Sequence, residues 1–349
     1  MSPERVPSLR LYLHLTMNCN LRCRYCYSGE KRHEAMSVEV GRAAIDRFMA
    51  STHHLLVQFF GGEPLLRLGV LRELVSHAEA RSRELRVPVS FVLVTNGTLF
   101  DKDVAKLCAD HRIELSVSLD GDASSQDLNR IFPNGRGSFS VIEPHLPELV
   151  ALRAHVVSVV KANNVANLAR SMKYLLDLGF RNIHISPDHT DPGMALALAE
   201  YEKQLEQVGR EYVELVRSGD PTFISVFDDG AHPFSRGPCK LGSGELSVDP
   251  YGRIYPCACF VDHDRYPLGH VETGLDPILH SIFLEDLGLL HRKIEAEHRD
   301  CPAHSFCRKG CGCTNIVSTG EMTGIVPVTC EIGRVHARTA ERVREMERA

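Results

Sequence analysis

Along the first half of the chain, short apolar runs alternate with segments whose apolar residues recur every three or four positions. Short runs closed by turn residues predict buried strands, and the wider spacing predicts helices with one buried face. The pattern predicts a strand over Leu9–Thr16, a helix capped by Ser37 that runs to Ala50, and a strand over His54–Phe60. Helix Leu68–Arg86, strand Val89–Thr95, helix Asp101–Asp110 and strand Ile113–Leu119 follow. After a polar loop over Asp122–Gly137 come helix Phe139–Leu152, strand His155–Lys161, helix Val165–Leu178 and strand Asn182–Ser186. Six β/α repeats predict an α/β fold, a partial (β/α)6 barrel whose chemistry gathers at the C-terminal strand ends.

From Asp191 the rhythm changes. A long charged helix is expected over Ala195–Arg217, and Ser218-Gly219-Asp220-Pro221 ends it. The chain to Cys330 is then dense in Cys, Gly and Pro, with short strands at Glu245–Val248 and Arg253–Tyr255. A segment this poor in regular structure needs a staple, and bound metal supplies one. The tail from Gly333 reads as a solvated terminal helix.

Composition narrows the picture. At 349 residues, 43% hydrophobic and 24% charged, the chain is ordinary for a globular protein. A net charge of −5 offers no basic face for nucleic acid. The apolar run Leu9–Leu15 is interrupted by Arg10 and His14 and is too short for a signal core or a membrane span. These features predict a cytoplasmic protein without membrane contact. In a reducing compartment its twelve cysteines point to metal or catalysis rather than disulfides. Three lie between residues 19 and 26 and eight between 239 and 330, leaving Cys108 on an apolar helix face.

The sharpest signal is Cys19-x3-Cys23-x2-Cys26, directly after the first strand. Three thiolates in one short loop can hold three irons of a cubane and leave the fourth open to a chelating molecule. A zinc site would need a fourth ligand there. The loop, with Tyr25 in the aromatic place, resembles the signature of the radical S-adenosylmethionine superfamily. That resemblance implies that the open iron binds S-adenosylmethionine, that one electron cleaves the sulfonium, and that a 5′-deoxyadenosyl radical then abstracts hydrogen from a substrate. Gly61-Gly62-Glu63-Pro64 resembles the family's GGE motif, which holds the methionine amino group. Ser116–Gly121, with Ser118 and Asp120, and Arg130 resemble its ribose and carboxylate contacts. Thr95-Asn96, at the third strand end, is a further candidate beside its plainer reading as a turn.

The later cysteines resemble the SPASM extension, which houses two auxiliary clusters. Cys239-x12-Gly252-x4-Cys257 is followed by Cys301-x5-Cys307-x3-Cys311 and then Cys330. One departure is His298, which stands where that pattern has a cysteine. The resemblance implies an inner cluster on Cys239, Cys257 and Cys311, with Cys259 as fourth ligand. An outer cluster would use Cys301, Cys307 and Cys330, completed by His298 or Cys313. A single Cys3His zinc site on His298, Cys301, Cys307 and Cys311 would leave five cysteines unexplained. With three four-iron–four-sulfur clusters, the implied domains are a barrel over 1–190, a helical bridge over 191–230, SPASM over 231–332 and a terminal helix over 333–349.

The resemblance implies an oxidoreductase-like enzyme that matures peptides or proteins, of the kind used in ribosomal peptide biosynthesis. Its products would be a crosslink, an epimer or an oxidised side chain. Implied partners are the peptide, a separate leader-binding protein, and an electron donor such as flavodoxin or ferredoxin. A radical dehydrogenase acting on a small cofactor precursor is the alternative, and a non-catalytic iron–sulfur or zinc module the second. The sulfatase-maturing subgroup carries an Asp after the cysteine that closes G-x4-C; here that place is Ala258, so its particular oxidation lacks a base.

Overall fold

The computed structural model describes residues 6–228, 241–261, 266–304 and 311–348. Along the chain run β1 (Leu9–Thr16), α1 (Val38–Met49), β2 (Leu55–Gly61), α2 (Leu68–Leu85), β3 (Val89–Thr95), α3 (Lys102–His111) and β4 (Ile113–Ser118). They are followed by α4 (Ala123–Asn129), α5 (Phe139–Ile142), α6 (Leu146–Ala151), β5 (His155–Val160), α7 (Leu168–Leu178), β6 (Asn182–Pro187), α8 (Met194–Arg217), β7 (Phe223–Ile224) and α9 (Ser225–Asp228). The remainder holds β8 (Glu245–Val248), β9 (Arg253–Tyr255), β10 (Gly269–His270), β11 (Gly274–Leu275), α10 (Pro277–His298), α11 (Gly312–Thr319) and α12 (Pro327–Arg348). The chain divides into two compact units, one of residues 1–117 with 240–286 and one of residues 118–239 with 287–349.

In the first unit the strand order is β11-β10-β9-β8-β1-β2-β3-β4. β8, β1, β2, β3 and β4 are mutually parallel where they pair, and β9 and β10 continue antiparallel from β8. The cysteine-rich segment thus adds its first strand to the edge of β1. Strand alternation divides the two faces. Leu11, Leu13 and Leu15 on β1 and Val57 and Phe59 on β2 are fully buried. α1 closes that side with Ala44, Ile45 and Phe48, and its first turn is capped by Ser37, whose side chain accepts from Val40 N. Each such leucine contributes roughly 1.5–3 kcal/mol through burial. The other face is mixed: Arg10, Tyr12 and His14 on β1 stand in register with Leu56, Gln58 and Phe60, and Tyr12 also with Ser247 of β8.

The second unit has β5, β6 and β7 in parallel, with α7 and α8 beside them. α8 also packs on α12, where Tyr201 Oη meets His336 Nε2 at 2.8 Å. Val328, Ile332, Val335, Ala340 and Val343 of α12 are buried. The tail is therefore no purely solvated helix, and it begins at Pro327 rather than near Gly333.

Three local differences have simple causes. The expected loop over Asp122–Gly137 contains α4, because the Asp122 carboxylate caps it by accepting from Ser125 N. The expected helix Phe139–Leu152 is broken into short pieces, since Pro144 and Pro147 each lack a backbone donor. The cysteine-rich region holds a 22-residue helix, α10. Its exposed Ile278, Ile282 and Leu289 and its buried Phe283, Leu287 and Leu290 leave apolar residues on all sides, so no single stripe marks it in the sequence. Among the described residues, no helix is long and apolar enough to cross a membrane.

Candidate active site and cluster loop

β1 ends at Thr16 and delivers the chain into the loop that carries Cys19, Cys23 and Cys26. All three thiols are half-buried. Cys26 N donates to Cys23 O at 3.1 Å, which folds the loop back between these two cysteines, and Tyr25 sits half-buried in that turn. The Cys19 sulfur accepts from Leu21 N at 3.4 Å and from Asn96 Nδ2 at 3.6 Å, while Lys31 Nζ lies 2.8 Å from the Cys26 sulfur. Burial raises the Cys19 thiol, and these donors and the Lys31 charge pull it back. Donors and a cation around the sulfurs suit thiolates bound to iron. Three half-buried thiols in one loop, with these donors beside Cys19 and Cys26, are a donor set that suits a cubane held by three cysteines.

Gly61-Gly62-Glu63-Pro64 backs directly onto this loop. Gly62 N donates to Thr16 O at 2.8 Å and Glu63 N to Asn18 O at 2.9 Å. Gly61 has φ +127°, and a Cβ there would meet Thr16 O at 2.4 Å. A Cβ on Gly62 would sit 2.0 Å from Asn18 O and 3.1 Å from Cys19 N. Only glycine fits at either place.

Glu63 is fully buried, and its carboxylate accepts from Leu65 N at 3.0 Å, Thr95 Oγ1 at 2.8 Å and Asn96 N at 2.8 Å. Asn96 in turn donates to Asn20 Oδ1 at 2.9 Å, and Asn20 donates to Thr98 Oγ1 at 2.7 Å. Thr95 and Asn96 therefore join the cluster loop to the Glu63 carboxylate. Asn20, Thr98 and Lys31 were invisible to motif reading, because isolated polar residues in loops carry no spacing.

Burial pushes the Glu63 carboxyl up to about 7, against the three donors that hold it down. A carboxyl raised on folding contributes stability that is full below its ordinary value near 4.5 and is lost as pH climbs through 7. Unfolding titrations should show wild type losing roughly 3 kcal/mol between those pH values relative to Glu63→Gln. Equal pH slopes in the two proteins would contradict the assignment.

In the second unit, Ser118 and Asp120 lie at the end of β4 and just beyond it. Arg130 Nε and Nη2 both reach Asp120 Oδ1 at 3.1 Å, and both residues are buried. Val159 N also donates to Asp120 Oδ1, and Arg130 Nη2 lies 3.4 Å from Val157 O. The Ser118 carbonyl accepts from Gln126 Nε2 at 3.4 Å. The pair holds the segment after β4 against β5. Replacing Arg130 with Met leaves Asp120 buried without its counter-charge, so denaturant unfolding should lose about 3–5 kcal/mol.

Cys257 and Cys259 lie within 4.8 Å of each other through their sulfurs, and Cys259 N donates to Cys257 Sγ. At the start of α11, the Cys311 and Cys313 sulfurs are 3.1 Å apart, and this contact together with burial pushes the Cys311 thiol well up. Cys301 N donates to the His298 carbonyl at 3.1 Å, and Cys330 is half-buried near the start of α12. Cys239 and Cys307 lie outside the described residues. Cys108 is buried, as its helix face predicts.

Comparison with known proteins agrees with this layout. The profile of the Radical SAM superfamily matches residues 13–143, and that of an iron–sulfur cluster-binding domain, SPASM, matches residues 239–313. The chain is 26% identical over 324 residues to a cysteine-type anaerobic sulfatase-maturating enzyme of Clostridium novyi, covering 84% of this chain and 85% of that protein. It is 24% identical over 320 residues to a serine-type enzyme of Klebsiella aerogenes, covering 84% and 76%. A solved structure, native anSMEcpe with bound AdoMet and Cp18Cys peptide, has a TM-score of 0.81 at 22% identity, covering 98% of this chain and 99% of that one. The expected fold, a partial barrel of the radical S-adenosylmethionine type with a C-terminal SPASM domain, is thereby shown. The chain thus carries a Radical SAM domain and a SPASM domain and is a radical S-adenosylmethionine enzyme homologous to sulfatase-maturating enzymes, with S-adenosylmethionine and four-iron–four-sulfur clusters as its cofactors.

Proposed function

We propose that the enzyme abstracts hydrogen from a residue of a peptide or protein and so installs a post-translational modification. The observation that carries this reading is full-length likeness to peptide-bound anSMEcpe and to two sulfatase-maturating enzymes. When bound, the cluster and S-adenosylmethionine supply one-electron cleavage of a sulfonium and a carbon-centred radical able to take hydrogen. Cys19, Cys23 and Cys26 would hold the first cluster. By resemblance the Gly61-Gly62-Glu63 turn, packed against the cluster loop, would receive the methionine ammonium, and the buried Glu63 carboxylate would hold the turn in shape. Ser118, Asp120 and Arg130 would shape the ribose and carboxylate side.

Cys239, Cys257, Cys259, Cys301, Cys307, Cys311, Cys313 and Cys330 would hold two auxiliary clusters. A substrate radical that gives up an electron needs an acceptor, which these would supply. Flavodoxin or ferredoxin would donate the starting electron. Ala258 takes the place where sulfatase maturases carry an acid, so the modification we favour is another crosslink, epimerisation or oxidation. The test is to incubate reconstituted, reduced enzyme with S-adenosylmethionine, the Cp18Cys peptide and the short peptides encoded beside its gene. Mass spectrometry should find one peptide lighter by two hydrogens, or an isobaric epimer. Modification of none, alongside active cleavage of S-adenosylmethionine, would sink the peptide reading.

A further inference from the structure

The mixed face of β1 carries a group that the cluster loop does not use. His14 is 3% exposed, and its ring stands edge-on to Phe60 with centroids 5.3 Å apart. Neither Nδ1 nor Nε2 meets a hydrogen-bond partner among the described residues. On the adjoining β8, Ser247 is 0% exposed, and its Oγ is likewise without a partner among them. Tyr12 stands opposite Ser247 in register, so His14, two residues on, shares that face and lies diagonally across from the hydroxyl. Two neighbouring buried groups with unmet hydrogen bonds are unfavourable, and an apolar side chain of similar size would remove the cost at position 14.

Placement gives these groups a use. His14 precedes Cys19 by five residues along the strand that feeds the cluster loop. Tyr12, its neighbour on the same face, has its phenol raised chiefly by burial, with smaller contributions that include Glu245 and Cys257. The face therefore runs from the cluster loop across to β8, whose antiparallel partner β9 ends at Tyr255, two residues before Cys257. Burial lowers the His14 imidazole to about 3, so the ring is neutral at physiological pH and offers one donor and one acceptor.

We propose that His14 and Ser247 form a substrate-contact site that hydrogen-bonds a polar group, main-chain amide or side-chain hydroxyl or thiol, of the peptide residue being modified. The site rests on the peptide reading given above. The probes are the Cp18Cys peptide and whichever short peptide encoded beside the gene wild type modifies.

His14→Phe should raise or preserve the melting temperature and leave peptide-independent 5′-deoxyadenosine formation within about twofold of wild type. Its kcat/KM for the peptide should fall at least about tenfold, chiefly through KM, because a substrate polar group is left unpaired. His14→Gln, which keeps a donor and an acceptor, should recover part of that loss, and Ser247→Ala should show a smaller one. Wild-type peptide kinetics in His14→Phe would make His14 an ordinary core residue and overturn the site. So would parallel loss of S-adenosylmethionine cleavage in both His14 variants, which is the signature of a structural role. If wild type cleaves S-adenosylmethionine yet modifies no peptide, the reading beneath the site falls instead, with all variants alike.

Discussion

Gly62→Ala should abolish radical chemistry without touching a cysteine. The added Cβ would stand 2.0 Å from the Asn18 carbonyl oxygen and 3.1 Å from Cys19 N. Both are backbone atoms, so no side chain can swing aside; either β2's end or the cluster loop must move. The loop is the weaker partner, since β2 is fixed along its length by pairing with β1 and β3. Moving Asn18 displaces Cys19 and breaks the hydrogen bond from Glu63 N. Misplacement by about 1 Å at a reacting site costs on the order of 100-fold in rate, and a cubane with a displaced ligand assembles poorly. Iron per chain should fall from about twelve to about eight, one cubane of four, and 5′-deoxyadenosine formation should fall at least about 100-fold. Full iron with normal turnover would mean that the GGE turn does not support the loop.

The triple substitution Cys19→Ala, Cys23→Ala and Cys26→Ala should remove S-adenosylmethionine cleavage entirely while the remaining clusters persist. β1 does not depend on these thiols for its place: it is held between β2 and β8 over its length. The auxiliary cysteines lie in separate stretches, with Cys257 and Cys259 after β9 and Cys311 and Cys313 around the start of α11. Iron and sulfide should settle at about eight each per chain, with visible absorption retained at reduced intensity. Complete loss of iron would show that the three thiolates are needed for the fold. Retention of about twelve irons would show that they are not ligands.

Much of the site was legible because its chemistry is local in sequence. Three cysteines within eight residues, two glycines before Glu63 and a strand end before each form one pattern, and the structure joins Glu63 to the cluster loop through Thr95 and Asn96. The strands of the barrel were legible because each is a short apolar run bounded by turn formers. What escaped was set by tertiary contact. Lys31 beside Cys26 and Asn20 beside Asn96 carry no spacing signal. α10 hides because it is apolar on every side. His14 reads in the sequence only as an interruption of an apolar run, and its burial against Phe60 depends on the register of β1 with β2.

Radical chemistry in this enzyme requires that one iron held by the Cys19 loop stay open to S-adenosylmethionine. The most direct measurement is electron paramagnetic resonance of the dithionite-reduced, reconstituted enzyme before and after S-adenosylmethionine is added, compared with the triple alanine variant. The wild-type signal should change on addition, and the variant's residual signal should not. An unchanged wild-type spectrum, or the same change in the variant, would contradict an open iron in that loop.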